Sequence, residues 1–267
     1  VVLVHVDIVE IHAAHGCNLN CQSCSHYSNT ATAKGLLSLD DALAWTNAWK
    51  QRIAPWKFRV LGGEPTLHPE LTKIVVLMRQ QWPDTLLELT TNGFFLQRHP
   101  ELPRALAETK TTLIWSIHDD SIIYNEHVVR IRELLKQWQS AYSFMVSAKD
   151  SHRGWTRRYH GEGADMLPYS DGRPEKSWGR CPARLAKQLH EGKLWKCPAL
   201  AYLPLHKRTY PALPPAWDPY LAYEALDPSC SDEELKAFAA KQAETFCGMC
   251  PATDEPFKKP SPLRVIT

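Results

Sequence analysis

Apolar residues in this chain come in short runs that alternate with helical stretches as far as residue 150, and then lose that rhythm. The first run, Val1 to Val6, leads into a strand-like segment from Asp7 to Ala13. Ser38 and Asp40 offer N-caps to a helix carrying Ala42, Trp45 and Trp49. Lys57-Phe58-Arg59-Val60-Leu61 reads as a short buried strand running into Gly62. From Pro69 to Trp82 the residues Leu71, Ile74, Val75 and Met78 recur at helical spacing, with Pro69 suited to a first helical turn. A third strand spans Thr85 to Thr91 and stops at Asn92-Gly93, and Pro103 to Thr109 reads as a short helix. A fourth strand follows over Thr112 to His118, then a helix over Asn125 to Trp138 and a fifth strand over Tyr142 to Ser147.

Strands alternating with helices imply a parallel sheet with right-handed crossovers. In barrels of such units the functional residues gather at the C-terminal ends of the strands. That rule collects His12 and His15, Gly62 to Glu64, Asn92, Ser116 with His118, and Ser147 with Lys149.

Beyond Ser151 the pattern changes. Residues 152–180 are rich in Arg, Tyr, His and Gly and show little apolar periodicity. Glu191-Gly192 marks a hairpin turn between Lys187-Gln188-Leu189-His190 and Lys193-Leu194-Trp195-Lys196. Residues 203–219 are proline-rich and read as an extended linker. Ser231-Asp232-Glu233-Glu234 is a capping box that opens a helix through Leu235, Phe238 and Ala239.

Composition narrows the class. The chain has 267 residues, 44% of them hydrophobic, enough for one large domain or a domain with an appendage. Mean hydropathy is −0.36 and no apolar run reaches the ~20 residues that span a bilayer, which argues against a membrane protein. The start, Val1-Val2-Leu3-Val4-His5-Val6-Asp7, lacks a basic region and a cleavage site and reads as a strand, not a signal peptide. A net charge of +2 makes no case for nucleic acid. Eight cysteines in a chain of this size without a secretory signal point to metal or redox chemistry in the cytoplasm before disulfides.

Three of those cysteines stand in Cys17-Asn18-Leu19-Asn20-Cys21-Gln22-Ser23-Cys24, at C-x3-C-x2-C spacing just after the first strand. Cysteine thiolates are the usual holders of iron–sulfur clusters. Read alone, the triplet is also compatible with a structural zinc closed by His26 or His15. About one βα unit later stands Gly62-Gly63-Glu64-Pro65. The two motifs in this order resemble the radical S-adenosylmethionine (SAM) superfamily. The resemblance implies a partial (β/α)6 barrel and a [4Fe-4S] cluster on Cys17, Cys21 and Cys24, with the open iron chelated by SAM. It implies that Gly62, Gly63, Glu64 and Pro65 bind the methionine end of SAM, with Thr90 and Asn92 nearby and Ser116 and His118 toward the ribose. The glycines would let the backbone approach that ligand. Two departures affect the adenine: Ser23 stands where the family has an aromatic residue, so Tyr27 is the expected substitute, and the fifth strand lacks the family's glycine-rich signature.

Cys181, Cys197, Cys247 and Cys250 follow the order C-x9–15-G-x4-C, gap, CxxC. This resembles the twitch module, a shortened SPASM domain, and implies a second, fully ligated [4Fe-4S] cluster; a four-cysteine zinc ribbon is the alternative. The fold class is thus α/β, a partial TIM-like barrel followed by a small α+β auxiliary-cluster module. The expected division is 1–150 for the barrel core, 151–180 for a connecting substrate segment and 181–267 for the module. By that resemblance the chain cleaves SAM reductively to a 5′-deoxyadenosyl radical and takes hydrogen from a C–H of a sugar or aminocyclitol-type molecule. Polar candidates for the substrate are His152, Arg153, Arg157, Arg158, Tyr159 and His160, with Trp155 as a stacking face. Cys230, the one thiol left over, stands ahead of a helix N-terminus and is the expected hydrogen donor of an epimerase. Oxidation of an alcohol carbon with the second cluster as acceptor, modification of a peptide, and non-catalytic electron transfer are the alternatives. A flavodoxin or ferredoxin is the expected reductant.

Overall fold

The computed structural model describes residues 3–29 and 35–255; Val1 and Val2, in the first apolar run, lie outside them. Strands β1 (Val4–Ala14), β2 (Ile53–Gly62), β3 (Leu86–Thr91), β4 (Thr112–Ile117) and β5 (Val146–Asp150) pair in sequence order, all parallel. The crossovers carry α1 (Leu39–Trp49), α2 (Leu71–Gln81), α3 (Leu102–Glu108) and α4 (Ile122–Ala141). Two more strands extend the sheet past β1: β6 (Ala186–His190), parallel to β1, and β7 (Lys193–Trp195), antiparallel to β6. The result is a mixed α/β fold with a seven-stranded, mostly parallel sheet, the form of a partial TIM-like barrel. The hairpin of the second half is therefore the far edge of the first half's sheet.

The remaining helices are α5 (Pro174–Arg180), α6 (Pro198–Thr209), α7 (Asp218–Leu221) and α8 (Asp232–Ala240). No helix among the described residues is long and apolar enough to cross a membrane.

The sheet has two different faces because successive side chains point opposite ways. Val9, Ile11, Phe58, Val60, Leu87 and Leu89 make the apolar face, each 4% exposed or less, in the same core as Trp49, Ile74 and Met78 of the helices. The alternate positions are polar and also buried: Glu10, His12, Glu88, Gln188 and His190. Arg59 bridges Glu10 and Glu88, Lys57 pairs with Glu88 at 2.6 Å, and the Gln188 amide donates to Glu10 at 2.7 Å. Helix α6 covers part of this polar face, with the Tyr202 hydroxyl on Gln188 at 3.2 Å.

Several expected boundaries move. Strand β2 begins at Ile53, four residues earlier than the apolar run suggests, because Pro55 joins the ladder opposite Val6. Pro69 precedes α2: a 3-10 turn over Pro65–Leu67 and the His68 ring, which accepts from the Glu70 amide at 3.0 Å, set the helix start at Leu71. Helix α4 runs on to Ala141, so the fifth strand starts at Val146, where pairing with Leu113 begins. Residues 203–209 are helical where an extended linker was expected. Pro204 forfeits one helical hydrogen bond, but Tyr202, Leu203 and His206 are each at most 3% exposed, and their burial outweighs that loss. The capping box holds: the Ser231 hydroxyl accepts from the Glu234 amide at 3.2 Å and the Glu234 carboxylate from the Ser231 amide at 2.8 Å.

Candidate active site

Strand β1 ends at Ala14 and the chain passes through His15 and Gly16 into the three-cysteine loop. The end of β2 is laid directly on it. The Gly63 amide donates to the Ala14 carbonyl and the Glu64 amide to the Gly16 carbonyl, both at 2.8 Å. A Cβ on Gly62 would stand 2.1 Å from the Ala14 oxygen, and one on Gly63 2.3 Å from the Gly16 oxygen. The two glycines are thus required by backbone lying on backbone, and both also line the cavity described below.

Glu64 also has a structural task. Its carboxylate is buried and turned into the fold, accepting from the Thr66 amide and hydroxyl, the Thr91 hydroxyl and the Asn92 amide. Three of these donors fall on Oε1 and one on Oε2, so the carboxylate holds the β2 and β3 ends together while Glu64 also lines the cavity. Asn92 continues the chain of contacts, donating to the Asn18 side-chain oxygen inside the cysteine loop at 2.8 Å. Pro65 opens the 3-10 turn and is itself buried.

These contacts frame a cavity of about 210 Å³ at the C-terminal rim of β1 to β4. Cys17, Cys21 and Cys24 line it together with Gly63, Asn92 and Ser116. The His118 ring approaches the Cys21 sulfur at 3.9 Å. Burial, then the charges of Cys21 and Glu64, pushes the Cys17 thiol well above its ordinary value. A bound cation reverses that preference. Three further polar atoms on the wall are buried without a hydrogen-bond partner among the described residues: His26 Nε2, Asn29 Oδ1 and Thr90 Oγ1. A cavity with orphaned donors and acceptors beside three cysteines fits a polar ligand such as SAM next to a cluster.

Tyr27 does not line this cavity. With φ +52° its side chain turns away and packs against Tyr159 and His206, at ring-centroid distances of 5.7 and 5.2 Å. The aromatic wall is Trp155 instead, whose indole donates to the Gln22 carbonyl at 2.8 Å and stands edge-on to His118. Ser23, the other departure, is a stitch. Its hydroxyl accepts from the Arg158 amide at 2.6 Å and the Tyr159 amide at 3.1 Å, so the cysteine loop is tied to the segment after β5. Nothing in the sequence signals that stitch except the unusual serine.

The second set of cysteines also converges. Cys181 follows α5, Cys197 is the N-cap of α6, Cys247 lies within a 3-10 turn over Thr245–Met249 and Cys250 caps its end. Glu191 and Gly192, both at positive φ, make the tight turn that returns the chain between the first pair. All four line one cavity with Trp178, Phe246 and Lys196. Burial first, then the charge of Cys181, pushes the Cys197 thiol up to about 12; burial also raises Cys181, Cys247 and Cys250. Among the described residues, no three Cys, His, Asp or Glu side chains converge as ligands of a single ion would. A four-iron cluster takes one thiolate per iron and does not require the sulfurs to meet at one atom. Ser25 and Tyr27 of the first loop share a second cavity wall with Cys181, Cys197 and Cys250, so one layer of side chains separates the two sets.

Cys230 is not on the wall of either cysteine cavity. Its sulfur accepts from Arg52 at 3.3 Å, and Arg52 also bonds the Pro228 carbonyl and, at 3.0 Å, Asp232. Arg52 precedes β2, whose ten residues put roughly 30 Å between it and the cysteine loop. Cys230 therefore lies at the opposite end of β2 from the three-cysteine cavity.

The remaining feature is a histidine cluster on the polar face. His12 stacks on Tyr202 at 3.9 Å, and His15, His26 and His190 surround the pair, with His12 and His15 Nδ1 atoms 3.4 Å apart. Burial pushes all four rings down: His12 and His26 fall below their ordinary value, and His15 and His190 fall to about 4, with neighbouring imidazoles adding to the shift of His12 and His15, Arg59 to that of His26 and Arg208 to that of His190. The alternation of Glu10 and His12 with Val9, Ile11 and Ala13 is the signal that could have found this face.

An open parallel half-barrel with a three-cysteine loop on its C-terminal rim defines the class. Residues 11–132 match the model of the Radical SAM superfamily. Among solved structures, it is similar to native anSMEcpe with bound AdoMet and Cp18Cys peptide (21% identity over 54% of this chain and 42% of that one, TM-score 0.41). BtrN in complex with AdoMet and 2-DOIA matches at 17% identity over 53% of this chain and 56% of that one, TM-score 0.36. Streptococcus suis SuiB bound to precursor peptide SuiA matches at 17% over 57% of this chain and 35% of that one, TM-score 0.41. The matched part thus spans less than half of anSMEcpe.

Proposed function

We propose that this chain is a radical SAM enzyme that oxidises an alcohol carbon of a small hydroxylated molecule, of sugar or aminocyclitol type. The supporting observation is the convergence of the Cys17–Cys24 loop, the Gly62–Pro65 turn and the β3 end on one cavity with orphaned polar atoms. Cys17, Cys21 and Cys24 would hold a [4Fe-4S] cluster, and Cys181, Cys197, Cys247 and Cys250 a second. With SAM bound, the first supplies a 5′-deoxyadenosyl radical able to take hydrogen from a C–H, and the second can accept an electron.

The chain's own residues do the rest. Glu64 and Asn92 lock the cysteine loop to the β2 and β3 ends, leaving backbone groups of Gly62 and Gly63, with Thr90, for the methionine end of SAM. Ser116 and Trp155 border the nucleoside side, and the Ser23 stitch ties the cysteine loop to the segment that carries Trp155. Oxidation is preferred to epimerisation because Cys230 stands at the far end of the sheet, whereas the second cysteine set is one side-chain layer from the first. A reduced flavodoxin or ferredoxin would supply the initiating electron.

Anaerobic reconstitution tests the reading. About eight irons per chain are expected, and Cys17, Cys21 and Cys24 changed together to Ala should leave about four and abolish SAM cleavage. A protein that takes zinc at both sites and never iron would refute it. The oxidised product should be a ketone two mass units lighter than the substrate.

A further inference from the structure

The cavity of the second cysteine set holds a polar atom that the fold leaves over. Trp178, on α5, lines it beside Cys181, Cys197, Cys247 and Cys250. The Trp178 indole Nε1 is buried and has no hydrogen-bond partner among the described residues. Buried polar groups are normally paired, and an indole N–H can only donate. What completes the site is therefore an acceptor.

The wall narrows the choice of acceptor. None of the described residues lining this cavity carries a carboxylate or amide side chain. Ser177 donates its hydroxyl to the Cys250 carbonyl at 2.9 Å, and Lys196 donates to the Gln242 carbonyl and, at 3.3 Å, to Glu244. Glu244 itself lies on a separate cavity that shares only Phe246 with this one. The acceptors this cavity gathers are the sulfurs of its four cysteines. Cations stand around the same sulfurs. Arg184 and Lys196 are on the wall, and Glu244 offsets Lys196. Arg158 lines the adjoining cavity with Cys181, Cys197 and Cys250, and the described lining there holds no carboxylate either.

Hydrogen bonds to sulfur and nearby positive charge favour the more negative, reduced state of an iron–sulfur centre and so raise its reduction potential. We propose that Trp178 donates its indole N–H to sulfur at the second cysteine set, and that Trp178 and Arg158 together raise the potential of that site so that it accepts electrons. The inference rests on the reading of these four cysteines as a cluster site. It adds which residues of the chain suit that site to oxidation of the substrate.

The test is a redox titration, followed by electron paramagnetic resonance, on the reconstituted full chain with Cys17, Cys21 and Cys24 changed to Ala, so that only the second site is read. In that background Trp178→Phe keeps an aromatic ring and removes the donor. Its equilibrium constant for reduction should fall about tenfold, a midpoint lower by about 59 mV for a one-electron couple, with the iron content retained. Arg158→Gln should lower the midpoint in the same direction. A second measurement needs no substitution at Trp178: with isotopically labelled indole nitrogen, the reduced site should show a coupling to that nitrogen. The proposal is overturned if either iron-loaded variant titrates at the parental midpoint, or if the labelled nitrogen shows no coupling. A three-cysteine variant that takes up no iron would instead overturn the reading of the four cysteines as a cluster site.

Discussion

Gly63→Ala is the perturbation that separates a ligand-facing turn from a structural one. The added Cβ would lie 2.3 Å from the Gly16 oxygen, 2.6 Å from the Gly16 carbonyl carbon and 2.7 Å from the His15 oxygen. All three are backbone atoms, so no rotamer change relieves the overlap. The β2 end must lift, which strains or breaks the Gly63-to-Ala14 and Glu64-to-Gly16 hydrogen bonds. Overpacking costs ~1–3 kcal/mol, and each hydrogen bond lost adds about 1 kcal/mol. Destabilisation of about 2–5 kcal/mol is therefore expected, a large part of an ordinary domain's stability. Because the displaced chain leads into Cys17, iron loading of the first cluster should fall as well, before any effect on SAM. Urea unfolding gives the first quantity and iron counting the second, with the four-cysteine site as internal control. An alanine variant with the parental unfolding midpoint and full iron content would refute the backbone-contact account.

Other outcomes follow from the polar face and the far end of the sheet. Arg59→Met leaves Glu10 and Glu88 short of their shared cation, and should cost about 3 kcal/mol in urea unfolding, mostly recovered by adding Glu10→Gln; no recovery would mean that Arg59 acts by packing. Cys230→Ser should keep both iron content and SAM cleavage, since its partner is Arg52; lost turnover with intact clusters would return it to the active site. His15 and His190 have folded values near 4 against 6.5 unfolded, so below pH 6.5 the unfolded chain binds protons that the folded one refuses. Stability should then fall as pH drops from about 6.5 to about 4, by about 1.4 kcal/mol per pH unit for each histidine. His190→Phe should flatten that slope by one proton, and an unchanged slope would show that the ring is not held neutral.

The βα alternation, the parallel sheet and the two cysteine sets were legible in the residues because they depend on local order: apolar period, caps and motif spacing. Cys17-x3-Cys21-x2-Cys24 and Gly62-Gly63-Glu64-Pro65 mark the cavity without any structure. What those residues touch was not legible. The GGEP glycines serve β1, Glu64 serves β3, Tyr27 faces the second cysteine set, and Trp155 reaches the first from across the chain. Each of these is a contact between segments far apart in sequence, settled by which strand lies beside which. The 203–209 helix shows the same limit, since proline content argued for a linker and burial of Tyr202, Leu203 and His206 decided otherwise. Cys230 is the sharpest case. Counting cysteines left it over as a candidate donor, but the parallel sheet has two ends, and only the fold determines that α8 and Cys230 pack at the N-terminal one.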